Sequence, residues 1–370
     1  MTVLVANLGS TSFKYKLLDM NANGEVVARG GYERIGQSGS QFKTHADVID
    51  VILKELPSRP DAIGFKAVHG GPISGAVRVT DEVLRVQEQF ADVAPAHNPA
   101  YVAAMRAFRQ KLPQIPQVAA FETAFHQTIP LARQVYAIPH EWTEKLGIRR
   151  YGFHGASHSY VATRVRELLG PEARRVISCH LGGSCSVCAI ENGKSVANSF
   201  GMTAQSGVPH CNRVGEFDSF ALLKLMKHGL SLEEIFRRLG KEGGLLGMSG
   251  VSPDMRDVEK AAADGNGRAR LAVDAFVESV RHYIGAYLVV LGGCDALVFT
   301  GGIGENGVAI REAICRNLDW AGIALDGQKN QARGRETKIS QVESGAEIWI
   351  VPTNEELIVA RQTVAVLTAN

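Results

Sequence analysis

Several signals are missing from these 370 residues, and each absence removes a class of protein. No apolar run approaches the length of about 20 residues that a membrane-spanning helix needs. Lys and Arg number 40 against 38 Asp and Glu, a net charge of +2. No excess of one sign therefore steers the chain toward nucleic acid or an anionic membrane. No G-x-x-x-x-G-K-[ST] occurs, so a Walker loop is excluded. The H-x-x-x-H of His154 and His158 stops where the predicted helix starts, so no H-x-x-x-H is read on a helix as a zinc pair. No Ser/Pro-rich linker or low-complexity stretch divides the chain. There are six cysteines and a single C-x-x-C, Cys185 and Cys188. The segment "SCSVCAI" has the character of a strand, in which residues three apart face opposite sides. The pair is expected to be two small buried residues rather than a redox or metal site.

What is present is ordinary in bulk: 45% hydrophobic and 21% charged, the balance of a globular protein with sizeable cores. The N-terminus enters a strand-like run at once, without a basic leader, so cytoplasmic residence is expected. The informative feature is a repeat. "VLVANLGSTSFKYKLLD", Val3 to Asp19, is echoed about 170 residues later by "VISCHLGGSCSVCAIENG", Val176 to Gly193. Each predicts two strands joined by a glycine-rich turn, the second closing at an Asn192-Gly193 hairpin turn. A weaker third echo, "CDALVFTGGIGENG", Cys294 to Gly307, predicts a strand running into a helix. Its Gly301-Gly302-Ile303-Gly304 run follows a strand but is read as lacking G-x-G-x-x-G spacing, and so not as a Rossmann fingerprint. Helical periodicity marks Asp81–Phe90, Pro99–Lys111, His158–Leu169, Ser219–His228 and Ala269–Leu291. The last carries Leu271, Ala275, Phe276, Val280 and Ile284 as its expected apolar stripe. Alternating strands and helices give an α/β class. The duplication implies two similar domains with a cleft lined by both turns, and such interfaces are where ligands bind. Gly with Ser or Thr in a turn offers converging backbone N–H groups and hydroxyls, suited to phosphate. His69, His97, His126, His154 and His158 all lie in Gly- or Pro-flanked segments.

These residues carry a resemblance. "NLGSTSFK", "VHGGP", "HNPA", "FETAFHQTIP", "RRYGFHGASH", "CHLGGSCSV", "GKSVANS", "FTGGIGENG" and "VPTNEEL" occur in the order found in the acetate kinases. Those enzymes form the acetate and butyrate kinase branch of the actin, sugar kinase and Hsp70 superfamily. The resemblance implies duplicated ribonuclease-H-like (actin-like ATPase) domains with an interdomain cleft. It places an N-terminal domain at 1–150 and a C-terminal domain at 151–370, with the tail from about 355 packing back on the first. It implies reversible transfer of the γ-phosphoryl of ATP to a short carboxylate, giving an acyl phosphate, with Mg2+ as cofactor and a homodimer as the assembly. Among its implied catalytic residues, Arg213 serves the transferring phosphoryl, whose charge spreads over three oxygens that a guanidinium fork suits. His154 donates to the same group, His97 orients the site, and Glu122 acts beside them. Asn7 and Glu355 hold the metal. Lys14 reaches a phosphate. His180, Leu181, Gly182, Gly183 and Ser184 grip the ATP phosphates. Asp254, Met255 and Arg256, with Gly302, Ile303, Gly304, Glu305 and Asn306, border adenine and ribose. Lys66, Val68, Ala96, Phe153 and Ala204 form the carboxylate side.

The chain departs from that family at telling places. Lys66 stands where Arg is usual and Glu122 where Asp is usual, so a bidentate fork is lost while a carboxylate gains reach. Gly183-Ser184 replaces Asn-Gly in the phosphate turn. Ala96 and Ala204 replace Leu and Pro in the acyl pocket, implying room for propionate or a larger acid beside acetate. Two alternatives stay open on the sequence: a kinase of the same fold with another acceptor, and a catalytically weak nucleotide-binding homologue.

Overall fold

The computed structural model describes residues 1–9, 11–73, 75–91 and 97–369. Its strands form two mixed sheets of six. In the first, β1 (Thr2–Leu8), β2 (Phe13–Asp19) and β3 (Glu25–Tyr32) make an antiparallel meander. Parallel to β1 on its other side lie β4 (Ala62–Ala67) and then β6 (Gln117–Phe121), with β5 (Ala76–Arg78) antiparallel at the edge. The second repeats this topology. There β7 (Arg175–Leu181), β8 (Cys185–Glu191) and β9 (Lys194–Asn198) are the meander. β10 (Ala296–Thr300) and β12 (Glu347–Ile350) run parallel to β7, and β11 (Thr337–Lys338) is the antiparallel edge. The orders β3-β2-β1-β4-β6-β5 and β11-β12-β10-β7-β8-β9 are the same path, strand for strand, which makes the duplication structural.

Local chemistry explains both hairpins. In the first turn Gly9 N donates to Ser12 O at 2.9 Å. At the β8–β9 turn Asn192 and Gly193 take φ of 51° and 77°, the paired positive angles that an Asn-Gly turn adopts cheaply. Strands β1, β4, β6 and β10 are near-continuous apolar runs because helices cover both faces. Cys185 packs into the large core with Ile177 and Phe299, whereas Cys188 faces the smaller cluster around Val161 and Val165. The C-x-x-C is thus split across the sheet as expected, and all six cysteines are free thiols.

The long helix starts at Gly267 and ends at Leu291, capped by Asn266 and by Gly292 at φ 67°. Its buried face is Ala269, Ala272, Phe276, Val277, Val280, Ile284, Tyr287, Leu288 and Leu291. Leu271 is 64% exposed and does not belong to the stripe expected for it. It lies five positions before Phe276, about 140° away around the helix axis, which turns it well off that face. No helix among the described residues is long and apolar enough to cross a membrane.

The C-terminal helix, Glu355–Thr368, returns to the first sheet, where Val359 and Ala360 pack with Val3, Val5, Leu18 and Ala62. Gly64 permits the approach: a Cβ there would sit 2.4 Å from Thr363 Oγ1. Lys16 Nζ, on β2, pairs with Glu356 at 2.9 Å across the same contact. This return brings the N-terminal turn of the chain's last helix to the ends of β1, β4 and β6, where the site assembles.

Candidate active site

At that junction Lys66, on β4, forms ion pairs with Glu355 and, at 3.6 Å, with Glu122 just beyond β6. The three side chains are 17%, 12% and 7% exposed, so this is a buried charge cluster. Burial works against the Lys66 ammonium, but the two carboxylates outweigh it and raise its pKa. Burial is the largest influence on Glu122 and pushes its carboxyl above the usual range, with Lys66 opposing. Burial acts upward on Glu355 too, yet Lys66 and the neighbouring His180 hold it below its ordinary value. Backbone bonds fix Glu122: its N–H donates to Ala67 O at 2.8 Å and its carbonyl accepts from Gly155 N at 2.9 Å. Tyr101 sits against the cluster, its hydroxyl accepting from Leu8 N at 2.9 Å.

Facing this cluster is a bank of histidines. The helix Gly155–Leu169 starts three residues before the expected His158, capped by His154 at φ 57° and ψ 32°. A left-handed backbone is uncommon for a residue with a side chain and is concentrated at functional sites. His154 and His180 rings lie with centroids 4.1 Å apart, and His154 meets Phe200 edge-on at 5.1 Å. Burial, reinforced by His180 and His158, holds His154 well below the normal imidazole pKa. Burial also lowers His180. His97 is pushed down to about 4 by burial, then by Arg213 and Lys66. Both cations act on His154 as well. Arg213 comes from the half of the chain after β9 and Lys66 from β4, so cations from both halves act on the same imidazoles. Arg213 is half-buried and its guanidinium donates to Ala204 O at 2.5 Å. His69 and His126 serve the walls. His69 stacks on Phe90 at 5.6 Å. His126 bridges Ser195 Oγ and Phe153 O, both at 2.8 Å.

Beyond the second turn opens a cavity of about 650 Å³, lined by Gly182, Gly183, Asp254, Met255, Arg256, Gly302, Ile303 and Asn306 among others. These are the residues that sequence resemblance assigned to the nucleotide. Gly301 makes the junction possible. It has φ 77°, and a Cβ on it would stand 2.7 Å from Leu181 O. Gly302 N lies 3.7 Å from where a Gly182 Cβ would be, so the two glycine-rich turns are in contact. Gly302 to Gly307 does have G-x-G-x-x-G spacing, contrary to the sequence reading. It is wound into the helix Gly301–Asn306 on a sheet with an antiparallel meander, so it is not the dinucleotide loop of a doubly wound parallel sheet. Asp254 caps the helix Met255–Ala263, and its two oxygens take Arg256 at 2.9 and 2.5 Å, which lowers its pKa to about 2.

Not every expected residue points into these spaces. Lys14 is exposed and pairs with Glu33 at 3.6 Å. The Leu181 side chain is buried in the core, and Gly304 packs on the backbone of β7 and β10. Glu305 turns back to accept from Gly301 N at 2.9 Å. Ser184 lies in the turn but does not line the cavity. Asn7 is half-buried opposite Lys14, and its side chain makes no hydrogen bond among the described residues. Phe153 is buried, its ring edge-on to Phe200 at 5.4 Å, and Val68 packs against the first core. Ala96 lies outside the described residues. Conversely, Cys211, Glu259 and Arg333 line the cavity and Tyr101 backs the charge cluster without having been foreseen. Nothing local in their segments marks them, since they arrive through tertiary packing.

The donor set bears on a divalent cation. Both carboxylate oxygens of Glu122, Thr353 Oγ1 and Asn354 Oδ1 are buried without a hydrogen bond among the described residues, next to Glu355 in space or sequence. These are hard oxygen donors. No three His, Cys, Asp or Glu side chains converge at ligand distance among the described residues. The set fits a cation that takes one or two carboxylates and completes its shell with phosphate and water, the habit of magnesium.

Comparison with known proteins agrees with this geometry. The acetokinase family profile matches residues 47–361. An acetate kinase of Dictyoglomus turgidum is 44% identical, covering 99% of this chain and 98% of that protein. The crystal structure of Porphyromonas gingivalis acetate kinase superposes with a TM-score of 0.92 at 39% identity, covering 99% and 100% of the two chains. That of a propionate kinase from Francisella tularensis gives 0.91 at 36% identity, covering 98% and 99%. With two sheets of one topology, cations from both halves meeting over a bank of histidines, and near-complete coverage by these relatives, the chain belongs to the acetokinase family.

Proposed function

We propose that the protein transfers the γ-phosphoryl group of ATP to the carboxylate of a short-chain acid, giving an acyl phosphate in a reversible in-line step. The observation that carries this reading is the convergence of Arg213 and Lys66 on His154 and His97 beside the Gly182–Ser184 turn. Phosphoryl transfer needs little covalent chemistry from a protein. It needs the attacking and leaving oxygens in line, and cations and donors around the equatorial oxygens.

In this reading adenine and ribose occupy the cavity bounded by Asp254–Arg256 and Gly302–Asn306, and the turn amides take the phosphates. His180 stands beside Gly182, its Nε2 3.8 Å from the position of a Gly182 Cβ. Arg213 supplies charge to the transferring group. His154, neutral because it is buried, supplies a donor without adding a charge. His97 orients the opposite side. Lys66 draws the substrate carboxylate inward while remaining tied to Glu122 and Glu355. Val68, Ala96, Phe153 and Ala204 wall the acyl chain. The likeness to a propionate kinase supports a pocket that takes more than acetate. Glu355, Glu122 and Asn7 would hold magnesium, which supplies neutralisation of phosphate charge when bound. The division into domains at 1–150 and 151–370 belongs to this reading, as does a role for Lys14 at a phosphate. Homodimeric assembly rests on the family resemblance alone, and cytoplasmic residence is part of the same reading.

The test is to incubate the purified protein with Mg-ATP, hydroxylamine and acetate, propionate or butyrate. Acyl hydroxamate should accumulate with at least one acid. ATP binding without hydroxamate from any of them would overturn the proposal.

A further inference from the structure

Four buried serines touch the ring nitrogens of the central histidines, and their hydroxyl protons have few places to go. Ser178 Oγ is fully buried, and its one side-chain partner among the described residues is His158 Nδ1 at 2.9 Å. His158 Nε2 meets Ser186 Oγ at 2.8 Å, and Ser186 Oγ meets His154 Nδ1 at 2.8 Å. Ser157 Oγ, also fully buried, has His180 Nδ1 at 2.8 Å as its one partner among the described residues.

Donor and acceptor counting assigns the hydrogens. A buried hydroxyl that fails to donate leaves its proton unsatisfied, at a cost. Ser178 must therefore donate to His158 Nδ1. A neutral His158 then carries its proton on Nε2 and donates to Ser186. Ser186, with that lone pair engaged, sends its own proton to His154 Nδ1. His154 is left with its proton on Nε2. The same rule makes Ser157 donate to His180 Nδ1 and leaves His180 as the Nε2–H form. A third case shows the rule operating at a wall. His126 Nε2 faces the carbonyl of Phe153 at 2.8 Å and must donate, while Ser195 meets its Nδ1 at 2.8 Å.

We infer that Ser178, His158 and Ser186 form a one-way hydrogen-bond relay that fixes His154 as the Nε2–H tautomer. We infer that Ser157 does the same for His180, so that two imidazoles with centroids 4.1 Å apart and planes 35° apart each present an N–H donor to a phosphoryl group. Neither His154 Nε2 nor His180 Nε2 has a hydrogen bond among the described residues, which leaves both free for a ligand. The serines and His158 are positioning residues, since they act through the two rings. Burial keeps both rings neutral, so the tautomer alone decides whether each ring offers a proton or a lone pair. A lone pair aimed at a phosphoryl oxygen would repel it. The inference rests on the proposed phosphoryl transfer for its purpose, but the tautomers themselves are measurable without turnover.

The experiment is long-range proton–nitrogen correlation on protein labelled with 15N-histidine, with the His154 and His180 signals identified by their loss in His154→Gln and His180→Gln. Both should appear as single neutral Nε2–H tautomers at pH 7. Ser186→Ala should give His154 a mixed tautomer signal while His180 is unchanged. Its turnover should fall about 10-fold or more, part of the 10²–10³-fold that loss of a whole oxyanion donor costs. KM for the carboxylate should stay within about 2-fold, because the donor matters most where charge develops. Ser178→Ala, one link further back, should show the same mixing and guards against misfolding of the first variant. An Nδ1–H or imidazolium form of His154 in the wild type overturns the inference. So does a Ser186→Ala protein with an unchanged tautomer, whatever its turnover. If the wild type makes no acyl phosphate, the tautomers still decide the relay, so the two readings fail separately.

Discussion

Replacing Lys66 by Met removes the one cation between Glu122 and Glu355 while keeping the side-chain volume. With the three side chains 7–17% exposed, the site is closer to a buried pair than to a surface one. Breaking a buried pair from one side costs about 3–5 kcal/mol, because the remaining charges lose their compensation. At about 2–4 °C per kcal/mol in domains of ordinary size, this is a fall in Tm of ~6–20 °C. The pH dependence has a definite sign. Glu355 is held below its ordinary value, so its stabilising share is present above the usual carboxylate range and lost as pH falls through the folded value. Glu122 is raised, so its share is full below the usual range and lost as pH rises. Lys66 lowers both. Without it both carboxyls shift upward, and the penalty falls on the alkaline side. Scanning calorimetry of Lys66→Met and wild type at pH 8 and pH 5 should show a large deficit at pH 8 that shrinks at pH 5. A deficit that is equal at both values, or larger at pH 5, would refute the assignment of Lys66 as the counter-ion.

Other expectations concern the phosphoryl side. Arg213→Ala should lower kcat by about 10³-fold or more, as loss of a transition-state arginine does, with a melting curve near that of wild type; turnover within a few-fold of normal in a steady-state assay would remove Arg213 from the mechanism. Gly301→Ala forces a left-handed alanine, at about 1–3 kcal/mol, into a space where its Cβ meets Leu181 O at 2.7 Å. Calorimetric titration should show weaker ATP binding than in wild type, and unchanged affinity would show that this junction does not shape the nucleotide site. The specificity constant for propionate should at least match that for acetate, since a methylene is worth about 1–3 kcal/mol in a pocket that admits it; a marked preference for acetate over both propionate and butyrate would exclude an enlarged acyl pocket.

The parts of the fold written in short-range chemistry were legible. The Asn192-Gly193 turn, the paired glycine-rich hairpins and the split of Cys185 from Cys188 follow from local periods and turn angles. Motif resemblance grouped Asp254–Arg256 with Gly302–Asn306, and residues of both segments do line one cavity. What escaped depends on the chain returning to itself. The ion pair of Lys66 with Glu355 joins β4 to the last helix, and only the packing of Val359 and Thr363 on the first sheet brings the two together. Leu271 is apolar and helical, yet its angle around the axis turns it to solvent, which composition alone does not reveal. The serine partners of His154 and His180 were invisible for a similar reason. Ser186 on β8 reads as a neutral spacer until the helix Gly155–Leu169 is in place, and Ser157 on that helix does so until β7 brings His180 to it.

The most direct measurement is a crystal structure with magnesium, a non-hydrolysable ATP analogue and a short carboxylate. The account places the terminal phosphate within hydrogen-bond reach, about 3 Å, of the Arg213 guanidinium and of His154 Nε2, with the preceding phosphates on the Gly182–Ser184 amides. A terminal phosphate bound away from Arg213, or a nucleotide outside the cavity bounded by Asp254 and Gly302, would contradict it.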